Sequence, residues 1–262
     1  MSTLSYAARD SATMLRRNLR HTARYPVMIV MSLGVPIILL LLFVGVFGGT
    51  LGTGLGPAAQ GGNYIDYVVP GILLMTAGYG ASTTALAVNR DMTEGIISRF
   101  RTMAISRASV LTGHVVAGLA RTTASMALVI AVALAMGFRP ASGLVTWLET
   151  IGLIVLLGLA LTWPAVAIGL LARNAEGTSS FTLLVQVLPF VSSAFVPTDS
   201  MSAPVRWFAQ HEPFTPIIDT LRGLLLGTEI GNSGVIAVTW CVVLAGAGYL
   251  WARALFTKNR RR

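Results

Sequence analysis

Long runs of uncharged, mostly apolar residues dominate this chain, and short connections rich in arginine, glycine or proline separate them. A helix rises about 1.5 Å per residue, so about 20 apolar residues cross the hydrocarbon core of a bilayer, which is about 30 Å thick. Six stretches offer such a length: 27–47, 67–89, 109–138, 145–172, 177–198 and 232–254. The sequence therefore predicts a single all-α integral membrane domain over residues 1–262, with six transmembrane helices.

The amino-acid composition agrees with a fold embedded in lipid. Apolar residues make up 54% of the chain and charged residues 11%, whereas a soluble domain carries about 25% charged residues. Too few charged side chains remain to cover a surface that faces water. Four predicted spans contain a proline: Pro36, Pro70, Pro164 and Pro189. These prolines are compatible with membrane helices, because neighbouring helices satisfy the backbone groups that a proline frees.

The distribution of cationic residues predicts the orientation, because short cytoplasmic loops retain lysine and arginine. Six spans place both termini on one side. Fifteen Lys and Arg residues fall on that side, against Arg139, Arg206 and Arg222 on the other. Both termini are therefore expected in the cytoplasm. The excess of arginine over lysine and the abundance of alanine and glycine suggest a high-GC bacterial genome, and the expected location is the bacterial cytoplasmic membrane. The net charge of +9 then belongs to the inner membrane face and does not indicate nucleic-acid binding.

The amino-terminal segment before the first span predicts an amphipathic helix in the inner membrane interface. Apolar residues recur there at helical spacing, and arginines recur on another face: Leu4, Ala8, Ala12, Leu15 and Leu19 against Arg9, Arg16, Arg20 and Arg24. The alternative is a basic flank without a structure of its own.

The connection at 90–106 predicts a second cytoplasmic helix, which is short and amphipathic. Its apolar residues are spaced for one helix face: Ile96, Ile97, Phe100, Met103 and Ala104. Arg99, Arg101 and Thr102 fall elsewhere, and Glu94 suits the positive end of the helix dipole. Such a helix either docks into a groove of a partner or packs against lipid and the chain's own spans.

Taken together, these features resemble the permease subunits of ABC-2 type exporters, specifically the daunorubicin-resistance type. The resemblance also covers two longer stretches, EGIISRFRTMAISRASVLTGHVVAGLAR after the second span and FVSSAFVPTDSMSAPVRWFAQHEPFTPIIDTLRGLLLG after the fifth. In such permeases the helix after the second span contacts a separate ATPase subunit. The resemblance assigns this coupling role to Glu94, Gly95, Ile96, Arg99, Phe100, Arg101 and Thr102.

The resemblance further implies that two permease copies work with two ATPase subunits, which use the ATP and Mg²⁺. The sequence agrees with an ATPase supplied by another chain. A P-loop places its lysine after a GxxxxG pattern, and the sole lysine, Lys258, lies in TKNRRR without that pattern. We therefore expect a transport subunit that is not itself an enzyme and binds no cofactor or metal.

The outer segment at 199–229 contains three prolines and several charged residues, so short broken helices are expected there instead of a further span. The resemblance implies that they form a re-entrant pair that closes the outer end of the route. Candidate closure residues are Trp207, Phe208, Asp219 and Arg222. Asp219 and Arg222 lie three residues apart, a spacing that allows an ion pair on one helix face. A structural cap without substrate contact is the alternative.

Arg107, His114 and Arg121 lie seven residues apart and so share one face of the helix that enters the third span. An ionisable group at membrane depth is a functional candidate. This face either contacts anionic lipid head groups or forms part of a cytoplasmic gate. In the alternative interpretation Arg121 snorkels to the inner interface, while the other two residues lie in the cytoplasm.

The sequence thus predicts the permease of an ATP-driven exporter, with membrane lipids, a second permease copy and an ABC ATPase as partners and no nucleic acid. The expected cargo is a hydrophobic or amphipathic compound, either drug-like or a complex lipid. A secondary transporter or channel is the alternative, and such proteins more often carry midspan charges and repeated broken helices. An integral membrane enzyme is disfavoured, because the histidine and acidic residues are scattered along the chain.

Overall fold

The computed structural model describes residues 26–54, 63–94, 107–141, 143–172 and 174–258. All regular secondary structure in these ranges is helical, and no strand occurs in them, which confirms the predicted all-α class. The helices in chain order are α1 (Pro26–Leu41), α2 (Gly48–Gly54), α3 (Tyr64–Thr93), α4 (Arg107–Ala135), α5 (Leu144–Leu171), α6 (Ala175–Val187), α7 (Ala203–His211), α8 (Phe214–Leu226) and α9 (Ser233–Lys258).

Four stretches of helix in the described ranges are long and apolar enough to cross a bilayer. They lie in α3, α4, α5 and α9, at Tyr64–Thr93, Leu111–Ala135, Leu144–Leu171 and Ser233–Thr257. Each of them overlaps one predicted span. Following the predicted orientation, we name the Tyr64 end of α3 the outer end and its Thr93 end the inner end. The count of six spans stays a prediction, because the first and fifth predicted spans contain shorter helices.

The first predicted span changes from α-helix to π-helix near its outer end, and the α-helix of the fifth predicted span ends early. The first consists of α1, followed directly by a π-helical turn at Leu42–Val46. In the fifth, α6 ends at Val187, and a single 3-10 turn continues to Val191. Pro189 offers no backbone N–H to extend the α-helical ladder, and residues 192–195 form a buried turn. The helical part of this span is therefore shorter than the predicted stretch at 177–198.

Helix α3 lies at the centre of the bundle and packs against α1, α4, α5, α6 and α8. Most of its side chains are buried. Two glycines permit the close approach of its neighbours. A Cβ added at Gly71 would lie 2.6 Å from the Cβ of Ala194, and one added at Gly80 would overlap the hydroxyl of Thr122. The sequence of α3 therefore favours a central position, where neighbouring backbones come close on several sides.

Helices α5 and α9 form the most extensive helix pair of the bundle. A Cβ added at Gly248 of α9 would lie 2.5 Å from Cδ of Pro164 and 2.6 Å from its backbone nitrogen. Trp163 and Tyr249 meet edge to face beside this crossing, with ring centroids 4.9 Å apart. The opposite face of α9 exposes large apolar side chains such as Val235. An apolar surface of that kind suits contact with lipid.

Aromatic stacking joins the outer ends of the first and fifth predicted spans. Phe43 of the π-helical turn stacks on Phe195, with ring centroids 4.3 Å apart, and Phe190 stacks on Phe195 at 5.0 Å. The Tyr64 hydroxyl of α3 donates a hydrogen bond of 3.2 Å to the backbone oxygen of Phe195. The buried turn after α6 is thus fixed against both α1 and α3.

Two short helices, α7 and α8, follow this turn, as the proline-rich sequence of the outer segment predicts. Helix α8 ends at Gly227, which adopts a left-handed conformation with φ of 69°, a region that favours glycine. The backbone N–H of Ala141 donates to the oxygen of Leu225 at 3.1 Å. Helix α8 is largely buried, whereas α7 is mostly exposed. The implied re-entrant placement of this pair in the membrane stays a prediction.

Candidate functional site

The predicted cytoplasmic elements lie mostly outside the described residues. This applies to the amino-terminal segment at 1–25 and to Gly95, Ile96, Arg99, Phe100, Arg101 and Thr102 of the predicted coupling helix. Glu94 is described: it is exposed, follows the last residue of α3 and donates its backbone N–H to the oxygen of Arg90 at 2.9 Å. The coupling role of these residues stays a prediction.

Two basic residues of α4, His114 and Arg121, contact α3. Arg107 is the first residue of α4. The side chain of His114 is buried, and its Nε2 lies 3.3 Å from Oδ2 of Asp91 on α3. One face of α4 is therefore directed toward α3 by a polar contact near the inner end.

Arg121 also faces α3. Its Nη2 donates hydrogen bonds of 3.0 Å to the hydroxyls of Thr83 and Thr84. Its Nε is buried without a hydrogen-bond partner in the described part of the chain. Both sequence interpretations of Arg121, the gate or head-group face and the side chain that snorkels to the inner interface, stay predictions. The two adjacent threonines provide acceptors within the bundle, and Gly118 lets α4 approach Thr84 closely.

The partners Asp91 and Thr84 were missed by the sequence analysis, although a signal for them exists. Asp91 and Thr84 are seven residues apart on α3, and His114 and Arg121 are seven apart on α4. Matching spacings on two antiparallel helices place polar groups opposite each other at two levels. The seven-residue spacing thus marks contacts between α3 and α4, and the head-group contact or gate predicted for this face stays a prediction.

At the outer end, Asp219 and Arg222 of α8 form the ion pair that their spacing predicts. Nη1 of Arg222 lies 2.7 Å from Oδ1 of Asp219. Ser193, in the buried turn after α6, donates its hydroxyl to the same carboxylate oxygen at 2.7 Å. The ion pair therefore fixes α8 to the end of the fifth predicted span.

Arg222 makes further contacts that the sequence did not predict. Its Nη2 donates to the backbone oxygen of Ser193 at 2.7 Å and to that of Tyr67 at 3.3 Å. Its guanidinium carbon lies 3.8 Å from the centroid of the Tyr67 ring, in a cation–π contact. A single side chain thus joins α3, α8 and the turn after α6.

A cavity of about 250 Å³ opens beside this arginine. Its lining is polar, with three carboxylates and four hydroxyl groups. The lining residues are Tyr67, Ser193, Pro197, Thr198, Asp199, Asp219, Arg222, Gly223, Thr228 and Glu229. Trp207 and Phe208 do not line it. They lie on α7 with exposed fractions of 64% and 41%, and the Trp207 ring stacks on His211 at 4.7 Å. The four predicted closure residues therefore form two separate groups.

Comparison with known proteins identifies the family. A sequence profile of the ABC-2 type transporter family matches residues 10–226 of the chain. The chain belongs to the ABC-2 type transporter family.

The chain is also similar to named permeases of this family. It is 24% identical over 242 residues to a daunorubicin resistance ABC transporter permease protein of Streptomyces coeruleorubidus, covering 88% of this chain and 83% of the relative. It is 26% identical over 182 residues to probable doxorubicin resistance ABC transporter permease proteins of two Mycobacterium tuberculosis strains, CDC 1551 and H37Rv, covering 68% of this chain and 66% of each relative. Permeases of the ABC-2 family normally pair with an ABC ATPase subunit.

In this family member, Glu212 holds the start of α8 and hence the position of Arg222. The two carboxylate oxygens accept backbone N–H groups from Phe214 at 2.7 Å and Thr215 at 2.6 Å. Glu212 is buried. Burial raises the pKa of this carboxyl, while the two backbone hydrogen bonds act in the opposite direction. Sequence analysis missed this residue, because its partners depend on the fold of the turn between α7 and α8.

Replacing Glu212 with alanine should destabilise the protein by about 1–3 kcal/mol, because two buried N–H groups lose their acceptors. Glu212→Gln retains one carboxyl-like oxygen and removes the buried charge, so it should cost less than the alanine variant. Thermal unfolding of the detergent-purified chain measures both effects. Glu229→Ala serves as the control, because Glu229 is exposed and its loss should stay within about 0.5 kcal/mol. Equal unfolding temperatures for Glu212→Ala and the parent would contradict the assigned role.

Proposed function

We propose that the chain is the membrane-spanning permease subunit of an ATP-driven exporter. The family match over residues 10–226 is the observation that carries this proposal. A bundle with several apolar, membrane-length helices supports it. In the working transporter two permease copies enclose a route across the bacterial cytoplasmic membrane, and both termini face the cytoplasm.

The proposed cargo is a hydrophobic or amphipathic compound. The names of the relatives, which refer to daunorubicin and doxorubicin resistance, support a drug-like molecule. A complex lipid has the same amphipathic character and is the other cargo that we propose to test. Comparing the lipids and exported metabolites of deletion and parent cells separates these two classes of cargo.

The proposed energy source is a separate ATPase subunit. The sole lysine, Lys258, follows no glycine pattern of a P-loop, so this chain has no such site for ATP. ATP binding in the partner can shift the permease only through segments that contact it, and these segments must favour one of two packings of the helices. Copurification of the chain with an ATPase whose activity rises in the complex tests this assignment.

A secondary transporter is the second candidate, and the Asp91–His114 pair is the observation that favours it. Both side chains can exchange a proton, and they lie 3.3 Å apart between α3 and α4. The family match argues against this function, because ABC-2 permeases normally work with an ATPase. Flux that is driven by a proton or sodium gradient, with the chain alone in liposomes, would support the second candidate.

The resemblance assigns the contact with the ATPase to the predicted coupling helix. Replacing Ile96 and Phe100 together with aspartate should separate ATP hydrolysis from export, because the apolar face that enters the partner's groove becomes charged. Export should fall at least about tenfold, while membrane insertion stays unchanged. A transport assay in cells, with the amount of inserted protein measured in parallel, gives the result.

Thr257→Asp is the control for the added negative charge, because Thr257 is exposed at the inner end of α9. Its export should match that of the parent. Normal export by a well-inserted Ile96→Asp, Phe100→Asp variant would contradict the coupling role without affecting the family assignment.

A further inference from the structure

Arg121 occupies the middle of α4, and its guanidinium is only partly satisfied by the protein. Nη2 donates to Thr83 and Thr84, as described above. Nη1 makes no hydrogen bond to any described residue, and Nε is buried without a partner in the same part of the chain. The two N–H groups of Nη1 therefore remain available for a ligand, and the buried Nε–H lacks an acceptor in the described part of the chain.

No carboxylate of the described residues balances the charge of Arg121. Nine of the ten acidic residues lie in the described ranges, and their only close contacts there with basic side chains join Asp91 to His114 and Asp219 to Arg222. An arginine keeps its charge under all physiological conditions. A buried cation without an anionic partner is costly in a low-dielectric environment. We therefore expect a separate molecule to supply the anion that pairs with Arg121.

The depth of Arg121 restricts what that molecule can be. Its partner Thr83 precedes Arg90, at the inner end of α3, by seven residues, which corresponds to about 10 Å along the helix. The site thus lies between the inner interface and the midplane of a core about 30 Å thick. A ligand at this depth needs an apolar body that tolerates the hydrocarbon and one anionic group.

The surroundings of Arg121 leave a side open toward such a ligand. The side chain of Arg121 is partly exposed, and its neighbours Ala120 and Ala124 on α4 are small and exposed. On α3, Tyr79 and Thr83 are also partly exposed. The surface around Arg121 therefore combines small side chains on α4 with a hydroxyl and an aromatic residue on α3.

We propose that Arg121 binds the anionic head group, a phosphate or a carboxylate, of a membrane amphiphile that enters between α3 and α4 from the inner leaflet. Nη1 provides charge-assisted hydrogen bonds, and Thr83 and Thr84 orient the guanidinium from the opposite side. The ligand is either a phospholipid resident in the bilayer or an amphiphile under transport. This inference rests on the proposed function for its membrane setting and does not depend on the ATPase.

Native mass spectrometry tests the site on the full chain in nanodiscs made of equal parts phosphatidylglycerol and phosphatidylcholine. The parent protein should retain phosphatidylglycerol in preference to phosphatidylcholine. Arg121→Gln keeps a donor for the threonines but removes the charge, and it should weaken phosphatidylglycerol retention by about tenfold. Arg253→Gln is the matched control, because Arg253 is exposed near the inner end of α9, and its retention should equal that of the parent.

Arg121→Lys keeps the charge without the planar fork and should give intermediate retention. Two results would overturn the site: a parent protein without preference for phosphatidylglycerol, or a monodisperse Arg121→Gln variant that retains it like the parent. The first of these results needs no variant, so misfolding of Arg121→Gln leaves the test intact. Failure of the ATPase to copurify would instead count against the proposed function alone.

A second arm with the ATPase complex separates the two sources of the ligand. Release of the bound phosphatidylglycerol on addition of ATP indicates an amphiphile under transport. Retention of the lipid through ATP turnover indicates a resident lipid. Both results support the anionic site, and they differ only in whether the bound molecule moves.

Discussion

Replacing Gly248 with valine is expected to disturb the packing of α9 on α5 and to lower the stability of the protein strongly. The added Cβ would lie 2.5 Å from Cδ of Pro164 and 2.6 Å from its backbone nitrogen. A proline ring and a backbone atom cannot rotate away as a flexible side chain would. The two helices must therefore move apart at this crossing, which weakens the buried contact between them.

The cost of Gly248→Val should reach about 3 kcal/mol, the upper end of the range for overpacked cores. Gly248→Ala introduces the same Cβ contact with fewer atoms. Its stability should therefore lie between that of the parent and that of the valine variant. Size-exclusion profiles after heating in detergent measure the loss of folded protein.

Gly246→Val is the matched control for this prediction. Gly246 lies two residues away on the same helix, and nothing lies within 4 Å of a Cβ added there. The control carries the same change in helix propensity and apolar volume, so it should behave almost like the parent. If Gly246→Val and Gly248→Val lose stability equally, the contact with Pro164 is not the cause.

The sequence predicts the helical elements of this fold well, because the length and apolarity of a helix are local properties. The predicted span at 145–172 coincides with α5 within one residue at each end. The Asp219–Arg222 pair was also predictable, since its two members lie three residues apart on one helix. Pro189 was visible in the sequence as well, but whether a proline bends a helix or ends it depends on the neighbours that satisfy the freed backbone groups.

The contacts between distant segments were not predictable in the same way. Arg222 reaches Tyr67 across 155 residues of sequence, and no local pattern marks a backbone oxygen as an acceptor. The rotation of Arg121 toward Thr83 depends on how closely α3 and α4 approach. That approach is set by Gly80 and Gly118, whose close contacts are known only once the helices are paired.

Helix α3 links the two groups of polar contacts. Tyr67 lies near its outer end, where it accepts from Arg222, and Asp91 lies near its inner end, where it meets His114. These residues are 24 positions apart, or about 36 Å along the helix. The predicted coupling segment follows directly after Glu94. The predicted coupling segment and the outer cavity therefore lie at opposite ends of one helix.

Arg222→Met should lower the stability of the protein by about 3 kcal/mol and loosen the outer end of the bundle. Methionine fills a similar volume but donates to neither Ser193 nor Tyr67, and the lost contacts connect three separate elements. Breaking a buried ion pair costs about 3–5 kcal/mol. We expect the lower end of that range, because Asp219 is 38% exposed and water can solvate its carboxylate. Thermal unfolding in detergent measures the loss.

A double-mutant cycle separates the ion pair from the other contacts of Arg222. Asp219→Asn removes the charge of the partner and should cost less than Arg222→Met, because the bonds from Arg222 to the oxygens of Tyr67 and Ser193 remain. The double variant should then be only slightly less stable than Arg222→Met alone. Arg139→Met is the control, since Arg139 is an exposed arginine of the same predicted side, and its loss should stay within about 0.5 kcal/mol. Equal losses for Arg139→Met and Arg222→Met would show that Arg222 contributes as a surface charge and does not join α3 to α8.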